Sequence, residues 1–222
     1  MTIGMGLGGL VLAGDGLSDE VRLLLDKAKT GDAQAQFRVA TAYDWGRGAP
    51  RNGDEAKRWY LASAERGYAE AQNSIGSSLQ AENKMSEALA WYQKSAAQDN
   101  EVAINNLGYF YDLGLGGLSQ DRKKAFELYK KSADLGWYEA MWNLATMYGA
   151  GQVGEPDFVM GCAWTLRAQR FAMASDAKFQ RMAKGRIAFS ESKLSREQMQ
   201  TCRVEGSAWS PTRVRDNTKA VE

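Results

Sequence analysis

Val102-Ala103-Ile104-Asn105-Asn106-Leu107-Gly108-Tyr109-Phe110-Tyr111, then Gly114-Leu115-Gly116-Gly117, then a second segment bearing Ala125, Leu128-Tyr129 and Ser132-Ala133, is the stretch that decides the fold. Ala103, Leu107 and Tyr111 fall at i, i+4 and i+8, which is one face of a helix. The glycine run supplies the positive φ that ends a helix and reverses the chain. Asp121 then stands near the start of the second segment, where an acid complements the N-terminal dipole and its free amides. The stretch therefore predicts two helices joined by a tight turn.

The same pattern recurs on both sides. Trp59-Tyr60, Trp91-Tyr92, Leu128-Tyr129 and Trp164-Thr165 are spaced by 32, 37 and 36 residues. Ala35, Ala71, Ala103 and Ala140 are spaced by 36, 32 and 37. Two independent markers agree to within a residue, so the repeat is real. Small residues recur at Ala40, Gly76, Gly108 and Ala145, and again in Ser63-Ala64, Ser95-Ala96 and Ser132-Ala133. Alternation of large and small positions lets two helices pack closely and lets the next pair stack on them. The second unit lacks the glycine turn, and its Glu82-Asn83-Lys84 link accounts for the short step. Acids also stand near the second helices at Asp54, Glu87 and Asp157.

These residues resemble the Sel-one-like repeat, a relative of the tetratricopeptide repeat. The copies that carry the resemblance best are Leu107-Gly108-Tyr109-Phe110-Tyr111 and Glu87-Ala88-Leu89-Ala90-Trp91-Tyr92-Gln93-Lys94-Ser95-Ala96. It covers about residues 31–171 as four repeats, the fourth departing most at Gly161-Cys162-Ala163-Trp164. The resemblance implies an all-α fold, a right-handed α-α superhelix (solenoid) of TPR-like helix pairs. It also implies a non-catalytic scaffold or adaptor that binds another protein or peptide. Some relatives are extracytoplasmic immunity proteins that neutralise phospholipase effectors of type VI secretion, and this is an alternative role. Cysteine-rich relatives described as β-lactamases carry a regular cysteine pair in each repeat. This chain has two cysteines in all, so an enzyme of that kind is the weakest reading.

The ends read as caps, because a repeat array needs terminal helices with a polar outer face. Residues 19–30 form an N-terminal cap helix, residues 172–209 form C-terminal capping helices, and residues 210–222 are a disordered tail. Ser195-Arg196-Glu197-Gln198 has the capping-box form. Residues 1–18 are an apolar, glycine-rich leader, either the remnant of a signal peptide or a disordered segment. Its apolar core suits a signal peptide and is too short to span a bilayer. Export to the periplasm is favoured over a cytoplasmic location, and no transmembrane segment is expected. The formal G-x-G-x-x-G at Gly4 to Gly9 has no strand before it and no phosphate-binding context.

Composition narrows the chemistry. The 222 residues carry a net charge of +1, which gives no reason to expect nucleic acid. There is no histidine, so the usual general base and the commonest metal ligand are missing. No cofactor, metal or small-molecule substrate is expected. Cys162 and Cys202 are either two buried thiols or one disulfide, depending on the compartment.

In the tetratricopeptide layout the concave surface takes fixed offsets from the recurring small residue of each first helix. Here those offsets select Gln34, Phe37, Thr41 and Asp44, then Glu70, Asn73, Ser77 and Gln80, then Val102, Asn105, Tyr109 and Asp112, then Glu139, Trp142 and Thr146. Most are polar, as an open groove requires. Phe37, Tyr109 and Trp142 are large aromatics on that surface and are either interface anchors or tucked between helices. Asn73 and Asn105 either bond an extended peptide or are solvated. The run Arg122-Lys123-Lys124 with Lys130-Lys131 reads as a solvated outer face.

Overall fold

The computed structural model describes residues 16–212. The leader through residue 15, with its G-x-G-x-x-G, and the tail from 213 lie outside the described residues. Two compact units divide the chain, one ending at Ala71 and the other beginning at Gln72. Among the described residues all regular structure is helical.

The first unit contains α1 (Asp19–Lys29), α2 (Ala33–Trp45) and α3 (Gly53–Glu65), and the boundary falls in the first turn of α4 (Ala69–Ala81). Each start has a physical cause. Ser18 caps α1 by accepting from the Val21 amide, and Asp32 caps α2 by accepting from Ala35. At α3 the cap is Asn52, which accepts from Asp54 and Glu55; the acid expected there stands in the first turn instead. Ala28, Ala35 and Val39 form a core with Leu24, Leu25, Tyr43 and Trp59 packed against it. Gln36 is buried within this core and donates from Nε2 to the Ala28 carbonyl at 3.0 Å. Ser63, also buried, donates to the Ala33 carbonyl at 2.7 Å and ties α3 to the first turn of α2.

The second unit continues with α5 (Met85–Ala96), α6 (Glu101–Leu113), α7 (Arg122–Asp134), α8 (Tyr138–Gly149), α9 (Phe158–Phe171), α10 (Ala177–Lys193) and α11 (Arg196–Ala208). Asp121 and Asp157 cap α7 and α9 with their side chains, whereas α5 starts at Lys84 with no side-chain cap. The missing glycine after α4 is replaced by Asn83 at φ 60°. Its amide bonds the Gln80 carbonyl, and the Lys84 amide bonds the Leu79 carbonyl. Together these bonds form a Schellman motif. Asp99 does the same after α5 at φ 56°. Both are residue types that tolerate the left-handed region.

The small positions of the first helices have a specific use. A β-carbon at Gly76 would stand 2.7 Å from the Tyr92 ring, and one at Gly108 would stand 2.7 Å from the Tyr129 ring. Both rings are almost wholly buried against these bare backbones. Burying each ring stabilises the pair by about 2–3 kcal/mol. In the fourth repeat the tyrosine is Thr165, and the small position is Ala145. There Gly161 does the reciprocal work, since its β-carbon would meet the Ala145 carbonyl at 3.1 Å. Ser132, fully buried, donates to the Glu101 carbonyl at 2.6 Å, matching Ser63 in the first unit.

The carboxyl end is held in two ways. Cys162 on α9 and Cys202 on α11 are joined as a disulfide with Cα atoms 5.8 Å apart. Arg167, only 4% exposed, lies 4.2 Å over the Trp164 ring and 5.4 Å from that of Trp209, and donates to the Glu205 carbonyl at 2.7 Å. Arg170 donates to the Ser207 and Trp209 carbonyls. Two guanidiniums thus satisfy the Glu205 and Ser207 carbonyls in the last turn of α11, where helix geometry leaves carbonyls without partners, and the Trp209 carbonyl just past it. Ser195 and Gln198 form the capping box in both directions at its start.

Candidate partner-binding groove

The second unit carries a groove of about 390 Å³ walled by α4, α6, α8 and α10. Gln80, Asn105, Tyr109 and Trp142, each selected from the repeat offsets, line it. Tyr109 is 41% exposed in this amide-rich setting. Glu139 contributes the carboxylate, and Phe179 and Met182 of α10 complete the wall.

Asparagines bind consecutive first helices together. Asn106 donates to the Asn73 side-chain oxygen at 3.0 Å, and Asn143 donates to the Asn105 oxygen at 2.9 Å. The two predicted asparagines are therefore neither simply solvated nor both free for a peptide: each accepts from the next repeat. Asn105 is only 6% exposed. The tie leaves their amide groups fixed in direction, which preorganises the groove wall.

Other predicted positions are engaged within their own repeat. The Tyr92 hydroxyl donates to Gln80 Oε1 at 2.7 Å and stands 3.2 Å from the Ser77 hydroxyl. Burial pushes the Tyr92 phenol above its ordinary pKa, against the Ser77 hydroxyl, which favours the phenolate. Asp112 pairs with Arg122 at 3.7 Å and raises the neighbouring buried Tyr129 further. In the first unit Asp44 hydrogen-bonds Tyr60, whose phenol is raised first by burial and then by that charge. Thr41 donates to the Arg38 carbonyl. Phe37 is half-buried with its ring 5.6 Å from Tyr60 and 5.2 Å from Tyr68.

Trp142 is covered on one side by α10. Phe179 meets it edge-on at 5.3 Å, and the Arg186 guanidinium lies 3.6 Å over its ring. Arg186 also donates to the Thr146 hydroxyl at 3.1 Å. Helix α10 thus supplies Phe179, Met182 and Arg186 to a surface that the repeat offsets assign to the first helices of the repeats. A signal for this was present: Ala183 follows Ala145 by 38 residues, so α10 continues the series of first helices. Glu139 has its carboxyl drawn above the usual range by partial desolvation in the groove and then by Asp176, while Trp137 favours the charged form. The basic run is satisfied locally. Lys124 pairs with Glu127, Lys130 with Asp134 and Lys131 with Asp99.

Among the described residues no cluster of acids or cysteines is placed to hold a metal, and no helix is long and apolar enough to cross a membrane. The architecture is an all-α repeat fold of helix pairs. The Sel1 repeat profile matches residues 33–68, 70–100, 102–137 and 139–168, and the chain belongs to the Sel1 repeat family. Repeats of this family commonly mediate protein–protein interaction and typically act as non-catalytic scaffolds. Among solved structures, a protective antigen of uropathogenic Escherichia coli with an SLR fold is 28% identical at a TM-score of 0.72. The match covers 84% of this chain and 39% of the antigen, so this chain spans well under half of that protein. A Sel1 repeat protein from Oxalobacter formigenes is 25% identical at a TM-score of 0.69, over 83% of this chain and 75% of that one. An immunity protein from Pseudomonas aeruginosa shares the fold at 14% identity and a TM-score of 0.50, over 84% and 75%. No curated protein sequence matches.

Proposed function

We propose that the groove of the second unit binds an extended segment of a partner protein, with Tyr109 as its exposed anchor. The observation that carries this reading is an aromatic ring 41% exposed at the rim of a groove walled by fixed amides. Large aromatics in such settings are typical hot spots. Trp142 forms the floor, Gln80 and Asn105 present polar groups, and Glu139 adds negative charge. Phe37, Thr41 and Asp44 supply the corresponding positions in the first unit, and Asn73, Ser77, Asp112 and Thr146 act mainly by holding the wall. Affinity capture, followed by calorimetry with the purified product of an adjacent gene, tests the reading. Tyr109→Ala weakens that complex by at least about tenfold while the circular dichroism melt is unchanged. Equal affinity in wild type and Tyr109→Ala removes the groove as the site.

The second reading, an extracytoplasmic immunity protein that neutralises a secreted phospholipase effector, draws on the Cys162–Cys202 disulfide. Such bonds persist in oxidising compartments. The apolar leader fits the same location. Thiol labelling of protein taken directly from cells tests the compartment: blocked cysteines agree with export, and two free thiols oppose it. Protection of a host cell against the neighbouring effector tests the role.

A further inference from the structure

A second cavity of about 260 Å³ lies between α8, α9 and α10 and shares no lining residue with the groove. Phe158, 50% exposed, and Phe189, 55% exposed, line it together with Cys162. Gly149 and Gly161 leave it room. Its polar groups are the Thr146 and Ser190 hydroxyls and the Arg186 guanidinium.

Arg186 differs from Arg167 and Arg203, which have carboxylate partners. Arg167 has Glu205 at 3.7 Å and Arg203 has Glu191 at 3.3 Å. Among the described residues no carboxylate pairs with Arg186, whose contacts are a hydroxyl and an indole ring. Burial alone pulls its pKa down, with no acidic neighbour opposing the shift. A half-buried charge without a counter-charge is costly, and an anion that shares its cavity would relieve that cost. The aromatic and glycine-lined walls exclude a bare hydrated anion as the best occupant, since such an ion would leave apolar surface wet.

From these observations we infer that the cavity binds a small apolar carboxylate, its acid group on Arg186 and its alkyl or aryl body between Phe158 and Phe189. The guanidinium fork matches a carboxylate in two parallel hydrogen bonds. A cavity of about 150 Å³ holds a benzene ring, so this one takes a ring or short chain with its acid group. Two sources offer that chemistry, a free fatty acid and the C-terminus of a chain ending in an apolar residue.

The test is calorimetric titration of the full, disulfide-bonded chain with octanoate, with octanol, and with a dipeptide ending in phenylalanine as the free acid or the amide. Octanoate binds saturably at about 1 mM or tighter, and octanol binds at least about tenfold more weakly. Arg186→Met weakens octanoate by at least about tenfold, Phe189→Ala weakens it several-fold, and Tyr109→Ala leaves it unchanged. Since Phe189 is exposed, its loss does not endanger folding, and that variant keeps the test valid if Arg186→Met melts early. Dipeptide acid binding with amide failure assigns a C-terminus; octanoate binding alone assigns a free acid. Absence of saturable binding by any carboxylate overturns the inference. Equal binding of octanol and octanoate, or undiminished binding in Phe189→Ala, also overturns it.

Discussion

A methyl group placed on Gly108 would collide with the Tyr129 ring at 2.7 Å, because the ring lies directly on the helix backbone. The ring is buried and cannot swing away without opening a cavity. Gly108→Ala therefore lowers stability by about 1–3 kcal/mol, although alanine is the better helix former. Gly185 in α10 is the control, since a β-carbon there meets nothing within 4 Å. Gly185→Ala raises stability by up to about 1 kcal/mol. Urea denaturation of both variants checks the pair, and stabilisation by Gly108→Ala would refute the packing account. The recurring small positions were legible in the sequence as places of close approach. What lay on them was not, because residue spacing says that something is close without saying which ring. The buried Ser63 and Ser132 hydroxyls were likewise read as small residues, while their bonds to Ala33 and Glu101 carbonyls needed coordinates.

At the scale of elements, α11 is attached to α9 by a covalent bond and by two arginines. The disulfide closes a loop of 40 residues, so removing it frees the unfolded chain more than the folded one. Replacing both cysteines by serine lowers stability by roughly 2–4 kcal/mol, read by urea denaturation. The helix stays docked in that variant, because Arg167 and Arg170 still hold its last carbonyls. Adding Arg167→Met then exposes residues 196–208 to limited proteolysis; continued resistance would show that the guanidiniums are dispensable. Helix positions and the capping box were legible from periodicity and from Ser195 and Gln198. The role of α10 was harder to see. The sequence reads it as part of the C-terminal cap, and in the structure its Phe179, Met182 and Arg186 also wall two cavities, a reach across to α8 that is a tertiary fact. The asparagine pairs are of the same kind: each partner lies more than 30 residues away.

For the whole molecule, the absence of histidine leaves few groups to titrate near neutrality. Glu139 is a carboxylate whose folded pKa is raised above that of a free one, first by burial and then by Asp176. For such a group the contribution to stability is fully present below the unfolded pKa and is lost as pH rises through the folded value. The Glu139 contribution to stability therefore falls with rising pH across that window. Glu139→Gln removes this contribution, so the difference in urea midpoint between variant and wild type changes with pH between pH 4 and pH 8. A difference that stays constant with pH would assign the proton to another group.

The lodging of Tyr92 on Gly76 and of Tyr129 on Gly108 has an evolutionary corollary. Each ring and its bare seat lie on different helices of one repeat, so neither helix is a free-standing unit of exchange. A hybrid repeat with α8 and its Ala145 as first helix and α7 and its Tyr129 as second would press a side chain against a ring, whereas duplicating or deleting a whole repeat carries ring and seat together. Such lineages should gain and lose these segments in complete pairs, and recombinants cut inside a repeat should be recovered folded less often than those cut between repeats.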